Sequence, residues 1–276
     1  MKLKKIIIAA AAAAAIAGLA AGCGGDTAKS EKAAASENKE ITIGINPGYT
    51  ERIMEFAAKE MEKEGLKVKV QPFSDYVTPD LALANGDIDL NMIQHKPFLD
   101  AFNEKNGTNL ISIGNTYLAP LRLYSYKVKS VAEIPEGATI AIPNDPSNGA
   151  RGLLLLEKQG LIKLKDGVDV TKAVPQDIVE NPKNLNIIEL EAPQLPRSLD
   201  DTDASVVNAG FASDAGLSKD AVIATEDNTS PYVNIIAARA EDKDNPTYQK
   251  FVKAFQSESV KKYIIDTCDG NLVPAF

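Results

Sequence analysis

The chain has 276 residues, of which 44% are hydrophobic, and its 38 acidic and 30 basic side chains give a formal net charge of −8. This length allows one large domain or two lobes of ordinary size, and the hydrophobic fraction is sufficient for a core. The acidic balance argues against nucleic acid as a partner and against peripheral binding to anionic lipid.

The first 22 residues are typical of an export signal. Three lysines precede an apolar run from Ile6 to Ala21, which is shorter than the roughly 20 residues of a membrane span. Cys23 follows directly after small residues, and this arrangement resembles a bacterial lipobox, which implies cleavage before Cys23 and its acylation, for example with palmitate. The alternative is an ordinary secretory peptide with an incidental cysteine. We expect a signal peptide over 1–22 and a mature protein anchored by lipid to the extracytoplasmic face of the cell membrane, in the cell envelope.

Residues 23–39 are predicted to form the lipidated cysteine and a flexible tether. The segment is rich in Ala, Ser, Lys and Glu and lacks apolar periodicity, as is typical of disordered chain. Cys268 is the only other cysteine in the sequence. With Cys23 acylated it has no partner, so no internal disulfide is expected.

From residue 41 onward, the apolar pattern predicts alternating strands and helices. Predicted strands cover residues 41–45, 68–70, 88–92, 109–114, 120–126, 138–142, 185–190, 204–207, 221–225 and 232–238. Predicted helices cover residues 51–64, the segment from Thr78 to Gly86, a segment beginning at Pro97, residues 147–159, and two helices within 246–268. Repeated βα units of this kind predict an α/β fold with parallel sheets and helices on both faces.

The segment from Asn144 to Arg151 lies between a predicted strand and a predicted helix. Free N–H groups at a helix start favour an anion, and a cation in the first turn is unfavourable unless an anion compensates it. A bound carboxylate, gripped by the guanidinium of Arg151, would account for both features. The alternative is that Arg151 pairs with a structural acid.

Three ring-bearing residues, Tyr76, His95 and Phe98, fall at predicted strand ends or helix starts. Ligands of open α/β sheets bind at the carboxyl ends of strands, so these rings could form the wall of an apolar cleft. A ring of this kind, taken alone, more often belongs to a core.

The motifs of common enzymes are absent from the sequence. It contains neither a Gly-rich phosphate loop nor H-E-x-x-H nor G-x-S-x-G. His95 is the only histidine, and no serine is paired with it by any recognisable spacing. We therefore expect a protein that is not an enzyme and that uses no cofactor or metal.

Several separated motifs, in conserved order from about Ile41 to Phe276, closely resemble the NlpA-type lipoproteins, the methionine-binding proteins of ABC importers. The motifs are Asp75-Tyr76-Val77-Thr78-Pro79, residues 91–99 (NMIQHKPFL), residues 143–148 (PNDPSN) with Arg151, residues 194–201 (QLPRSLDD) and Tyr232-Val233-Asn234. The resemblance implies a two-lobed periplasmic-binding-protein fold (type II-like) with a ligand cleft between the lobes. It further implies a first lobe over 40–119 plus 234–276 and a second lobe over 120–233.

The resemblance also implies roles for individual residues. Arg151 would grip the carboxylate of an amino acid, and Asn208 and Asn234 would hold the polar groups of the zwitterion. The side-chain pocket would be lined by Tyr76, Ile93, His95 and Phe98. Ile93 replaces the usual phenylalanine and Phe98 the usual tyrosine, and both stay apolar, so the pocket should remain hydrophobic.

We therefore predict a monomeric substrate-binding lipoprotein that captures L-methionine and delivers it to an ABC permease with its ATPase. Within the same class, the ligand could instead be another apolar amino acid, a methionine derivative or a methionine-containing dipeptide. Rivals from other classes are a surface-anchored enzyme on a similar fold and an adhesin or structural element of the envelope.

Overall fold

The computed structural model describes residues 40–227 and 231–276. In these ranges the α-helices are α1 (Tyr49–Lys63), α2 (Thr78–Asn85), α3 (Lys96–Asn106), α4 (Pro146–Lys158), α5 (Leu195–Ser198), α6 (Ala209–Asp214), α7 (Pro246–Phe255) and α8 (Glu258–Thr267). The strands are β1 (Glu40–Ile45), β2 (Lys67–Pro72), β3 (Leu90–Asn91), β4 (Leu110–Leu118), β5 (Arg122–Tyr124), β6 (Thr139–Pro143), β7 (Lys163–Leu164), β8 (Ile178–Glu180), β9 (Asn186–Leu190), β10 (Ala204–Val207), β11 (Val222–Thr225), β12 (Val233–Arg239) and β13 (Val273–Pro274). The predicted signal peptide, Cys23 and the tether lie outside the described residues.

The first lobe is built on a six-stranded sheet with the order β13-β4-β12-β3-β1-β2. Ile41, Ile43 and Ile45 alternate along β1 and are fully buried, because alternate side chains of a strand point to the same face. They pack into one core with apolar residues of α1, α7 and α8. A second cluster includes Leu83 of α2, Phe102 of α3 and Ile235 of β12, so helices contribute to two separate cores around this sheet.

The second lobe is built on a five-stranded sheet with the order β11-β5-β10-β6-β9. Leu153 and Leu156 of α4 pack against Ile140 and Ile142 of β6. A separate cluster joins residues of α5 and α6 to Ala141 of the same strand. Because Ala141 lies between the two isoleucines, its side chain points to the opposite face, and the sheet is therefore covered on both sides.

The chain passes between the two sheets after β4 and returns before β12. The boundaries of the lobes, 40–119 plus 234–276 and 120–233, remain a prediction, which the sheet that each strand joins supports.

The prediction that the sheets are parallel was wrong in part. β1 runs parallel to β2 and β3, and β6 runs parallel to β9 and β10. In contrast, β12 is antiparallel to β3 and β4, and β5 is antiparallel to β10 and β11. The physical reason lies in the connections. β4 leaves the first lobe and β12 re-enters it, so these neighbours run in opposite directions without the crossover helix that a parallel pair needs.

None of the helices within the described residues is both long enough and apolar enough to cross a membrane.

Candidate ligand-binding site

All seven residues that the sequence singled out for ligand contact line one cavity between the two sheets. The residues are Tyr76, Ile93, His95, Phe98, Arg151, Asn208 and Asn234. The cavity has a volume of about 40 Å³, which is room for a few water molecules. An amino acid is larger, so its entry requires the walls to move outward. The structure brings these side chains together, and their contacts with a ligand remain a prediction.

Arg151 is buried and is held by an acid, as the structural alternative expected. It is the sixth residue of α4 and so lies in the second turn, not in the first as predicted, because the helix begins at Pro146. Its Nε donates to Oε1 of Glu226 at 2.8 Å, and its Nη2 pairs with the other oxygen of the same carboxylate. Nη2 also donates to the carbonyl oxygen of Ala119 at 2.9 Å. The guanidinium lies over the ring of Tyr232, 4.7 Å from its centroid. The charge of this cation is thus partly compensated by the protein itself.

The third nitrogen of the guanidinium keeps its capacity to donate. Nη1 of Arg151 makes no hydrogen bond to a described residue, and Arg151 itself lines the cavity. Because Nη1 can donate to a second oxygen, the pairing of Arg151 with Glu226 does not exclude a carboxylate in the cavity.

His95 caps α3 and is neutral. Its Nδ1 accepts a hydrogen bond from the backbone nitrogen of Phe98 at 3.2 Å, so the ring proton is on Nε2. Nε2 therefore donates to Oδ1 of Asn148 at 3.1 Å. Burial, together with the nearby charge of Arg151, lowers the pKa of His95 to about 3. Both nitrogens are engaged and the ring does not titrate near neutrality, so His95 is poorly suited to general-base catalysis.

Asp145 fixes the orientation of two amide side chains. It caps α4 by accepting from the backbone nitrogen of Asn148 at 2.9 Å. Its two carboxylate oxygens also hold Nδ2 of Asn148, at 3.1 and 3.0 Å. Oδ1 of Asn148 consequently faces the cavity, where it accepts from Nδ2 of Asn208 at 3.0 Å as well as from His95. This network crosses between the lobes, because His95 belongs to the first and Asn148 to the second.

Aromatic rings form the apolar part of the wall. The ring of Tyr76 lies 5.7 Å from that of Phe98 and 5.0 Å from that of Phe211, distances typical of edge-on aromatic packing. Burial raises the pKa of the Tyr76 phenol, so this residue is neutral. His95 lies 4.9 Å from Tyr232, edge to face.

Several further residues line the cavity although they were not singled out from the sequence. They are Asn46, Tyr49, Thr50, Gln94, Tyr117, Ala119, Asn148, Ala209, Gly210 and Leu272. Gln94 and Asn148 stand inside motifs that were noticed, and Asn46 directly follows β1, where the carboxyl ends of strands mark ligand sites. Those positions were the available signal. Tyr117 and Leu272 carried none, because only the folding of β4 and of the C-terminal segment brings them here.

Three amide oxygens of the lining have no hydrogen-bond partner among the described residues: Oδ1 of Asn46, Oε1 of Gln94 and Oδ1 of Asn208. Buried polar atoms are nearly always paired in native proteins. The cavity therefore combines a buried cation, unpaired acceptors and apolar rings, which is the combination that an apolar amino acid in its zwitterionic form requires.

Comparison with known proteins places the chain in a family. Residues 41–276 match the sequence model described as NlpA lipoprotein. The D-methionine-binding lipoprotein MetQ of Escherichia coli (strain K12) is 48% identical over 257 residues, which cover 91% of both chains. A nutrient binding protein from Burkholderia cenocepacia, solved bound to methionine, shows 48% identity and a TM-score of 0.83, covering 86% of this chain and all of that one. A crystal structure of the methionine-binding protein MetQ gives a TM-score of 0.83 at 46% identity, covering 86% of this chain and 98% of that one.

These likenesses define the class as the two-lobed substrate-binding proteins, and the predicted periplasmic-binding-protein fold is confirmed. The chain belongs to the NlpA lipoprotein family.

Proposed function

We propose that this protein is the substrate-binding lipoprotein of an ABC importer, which captures methionine as a free amino acid and delivers it to the permease. The observation that carries the proposal is the single cavity in which the buried guanidinium of Arg151, unpaired amide oxygens and aromatic rings meet. Relatives that are named for methionine binding, or that were solved bound to methionine, support it.

The ligand's head group would bind at the polar end of the cavity. Its carboxylate would accept from Nη1 of Arg151, and its ammonium would donate to amide oxygens such as Oδ1 of Asn208. Asn234 lies beside this end, because it forms an isolated bridge with His95. The hydrogen bond from Arg151 to the ligand's carboxylate would be charge-assisted, and such bonds are about twice as strong as those between neutral groups.

The side chain of the ligand would lie against Tyr76, Ile93 and Phe98. A thioether is polarizable and flexible, and sulfur packs favourably beside aromatic rings. A sugar would lack hydrogen-bond partners on such a wall, and the carboxylate of glutamate would be desolvated there at a high cost.

Binding would favour the arrangement in which both lobes contact the ligand. Two contacts described above already span the lobes: the hydrogen bond from His95 to Asn148 and the packing of Tyr76 on Phe211. We propose that the permease and its ATPase recognise this closed, ligand-bound monomer.

Location in the cell envelope follows from membership of a lipoprotein family. The finer proposal is that residues 1–22 are removed, that Cys23 is acylated, and that residues 23–39 tether the folded part to the extracytoplasmic face of the membrane.

The function is tested by mass spectrometry of small molecules released when the purified protein is denatured, followed by a thermal-shift series on ligand-free protein. The series contains both enantiomers of methionine, because the relatives are named for the D form, together with leucine, norleucine, glycyl-methionine and glutamate. The best ligand gives the largest shift at equal concentration. We expect methionine to rank first. If glycyl-methionine gives a larger shift than methionine, the substrate is the dipeptide and the class of protein is unchanged. If glutamate gives the largest shift, the assignment of the pocket is contradicted.

A further inference from the structure

Two exposed ion pairs join the first lobe to the second. Nζ of Lys172 lies 3.3 Å from Oε2 of Glu104 on α3. Nζ of Lys219 lies 3.1 Å from Oδ2 of Asp269, and it also donates to the carbonyl oxygen of Asp269 at 3.2 Å. The lysines belong to the second lobe and the acids to the first. None of the four residues lines the cavity, so the two pairs are separate from the ligand site.

In the first lobe, the two acids lie on opposite faces of the sheet. Side chains alternate along β12, so that Ile235 packs in the core that contains α3, whereas Ile236 packs in the core that contains α8. Glu104 is part of α3, and Asp269 follows directly after the C-cap of α8. The sheet therefore lies between the two acids.

In the second lobe, the two lysines are likewise carried on opposite faces. Ala173, the neighbour of Lys172, is buried in the core that contains α4. Ala221, two residues after Lys219, is buried in the core that contains α5 and α6. One ion pair therefore lies on the flank where α3 meets α4, and the other lies on the flank where α1 meets α6.

Both pairs are placed where opening of the cleft must separate their members. We propose that Lys172–Glu104 and Lys219–Asp269 act as electrostatic latches, which hold the lobes closed from opposite flanks of the cavity and make closure depend on ionic strength. The inference rests on the proposed function, because the affinity for a ligand then includes the free energy of closing the lobes. Each latch is carried by backbone that is anchored in the core of its own lobe. An opening wider than the reach of a lysine side chain therefore breaks it.

The exposure of the pairs sets the size of the effect. The four side chains are between 57% and 78% exposed, and an exposed ion pair changes an equilibrium by about fivefold at most. Salt weakens such a pair, because the Debye length falls from about 10 Å at 0.1 M to about 3 Å at 1 M. Methionine itself carries no net charge as a zwitterion. A dependence of its affinity on salt would therefore arise mainly in the protein.

The first experiment reverses and then exchanges the charges of one latch. Calorimetry measures the affinity for methionine in Glu104→Lys, in Lys172→Glu and in the double variant. Each reversal replaces an attraction by a repulsion, so we expect it to weaken binding by about three- to tenfold. The exchanged pair should restore the affinity to within about twofold of the unaltered protein.

Lys262→Glu is the matched control for these reversals. Lys262 is exposed and pairs with Asp266 inside α8, so its reversal changes the net charge equally but breaks no contact between the lobes. We expect its affinity for methionine to be unaltered. If Glu104→Lys binds as tightly as Lys262→Glu, or if the exchanged pair does not recover the affinity, this ion pair is not a latch.

The second experiment removes both latches and varies the salt. Glu104→Gln combined with Asp269→Asn leaves each lysine without its anion. Asparagine suits this position, because Asp269 has a left-handed backbone with φ of 54°. Between about 0.05 M and about 1 M NaCl we expect the unaltered protein to lose two- to tenfold in affinity and the double variant to change by less than about twofold. Equal salt dependence in the two proteins would overturn the proposal.

The third experiment needs no ligand and measures the lobes directly. Spin labels are attached at Leu81→Cys on α2 and Val179→Cys on β8, positions that are 41% and 58% exposed. We expect longer and broader distances when Lys172→Glu and Lys219→Glu are both present. Identical distance distributions with and without these reversals would overturn the latches. Failure of the unaltered protein to bind methionine would instead overturn the proposed function.

Discussion

Arg151 is held by Glu226 and also lines the cavity, so its substitution has two separable effects. In Arg151→Ala the carboxylate of a ligand loses its cation, and we expect affinity for methionine to fall about a hundredfold or more. The Glu226 carboxylate, whose side chain is only 14% exposed, loses its contact with the guanidinium at the same time but keeps the hydrogen bond from the backbone nitrogen of Leu121. We expect the free energy of unfolding to drop by up to about 3 kcal/mol.

Calorimetry and urea unfolding measure these two effects independently. Adding Glu226→Gln to Arg151→Ala should recover part of the stability and none of the affinity. Arg197→Ala is the control, because Arg197 is exposed and does not line the cavity. Affinity within threefold of the unaltered protein in a folded Arg151→Ala variant would contradict the assigned role.

His95 predicts a stability that depends on pH. Its pKa is about 3 in the folded protein and near the ordinary 6.5 when unfolded, so between these values the unfolded chain binds more protons. Its contribution is therefore present above about pH 6.5 and is lost as the pH falls, with a slope of up to about 1.4 kcal/mol per pH unit. Asp80 acts in the opposite direction, because its folded pKa is raised. Urea unfolding from pH 7 to pH 4.5 should show the stability cost of His95→Gln shrinking on acidification; a constant cost would contradict the neutral, buried histidine.

At the scale of elements, Gly48 at the N-cap of α1 lies against residues of α6. It caps α1 with φ of 90°, and a Cβ at this position would lie 2.8 Å from the carbonyl oxygen of Gly210. We expect Gly48→Ala to prevent this approach between the lobes and to lower affinity for methionine by more than about tenfold, in addition to a backbone cost of about 1–3 kcal/mol.

Gly65→Ala is the matched control for that substitution. Gly65 also has a positive φ, 79°, but a Cβ there meets no atom within 4 Å. The Gly65→Ala variant should therefore lose stability and keep its affinity for methionine. Calorimetry and thermal unfolding of both variants decide the question, and equal affinities would show that the contact between α1 and α6 does not limit closure.

The elements that carry an apolar pattern of their own could be predicted from the sequence, including the four-residue strand β10. The short elements β7, β8, β13, α5 and α6 could not. α1 and α4 carry apolar residues at helical spacing, and β1 alternates, so their patterns survive without tertiary context. α6 has only six residues, and Asn208 at its N-cap gives no capping hydrogen bond, because its side chain bonds to Asn148 in the cavity. β13 is two residues long and exists only because it pairs with β4.

The residues and contacts of the candidate site likewise fall into those that the sequence could predict and those that it could not. Resemblance of motifs was enough to nominate the seven residues that line the cavity. A cation expected near a helix start pointed to a compensating anion, either a bound carboxylate or a structural acid. The sequence could not identify Glu226 as the acid. It lies 75 residues from Arg151 along the chain, and such a separation leaves no local pattern. Nor could the sequence orient the side-chain amide of Gln94, whose Nε2 donates to Asp80, because that contact forms only in the folded protein.

At the scale of the whole molecule, attachment to the membrane should depend on Cys23. This residue lies outside the described part of the chain, and the argument rests on the basic, apolar and small-residue series that ends at it. Cells producing Cys23→Ser should lose incorporation of a labelled acyl chain, and the protein should leave the membrane fraction. Cys268→Ser is the control, because Cys268 is a buried thiol and its loss should leave the label in place. Equal labelling of Cys23→Ser and the unaltered protein would refute the anchor.

The bond from Arg151 to the carbonyl oxygen of Ala119 has a geometric consequence for the lobes as moving bodies. Ala119 lies in the connection between β4 and β5, so the guanidinium sits beside one of the segments about which the lobes would rotate. A group inserted close to the hinge opens the two lobes by a wider angle than a group of the same size inserted at the outer edge of the cleft. A methyl ester, or a residue added through the carboxylate, should therefore hold the cleft open more than an equal volume added at the tip of the side chain. The leverage of the hinge, as well as the fit of the pocket, would then discriminate among methionine-like molecules.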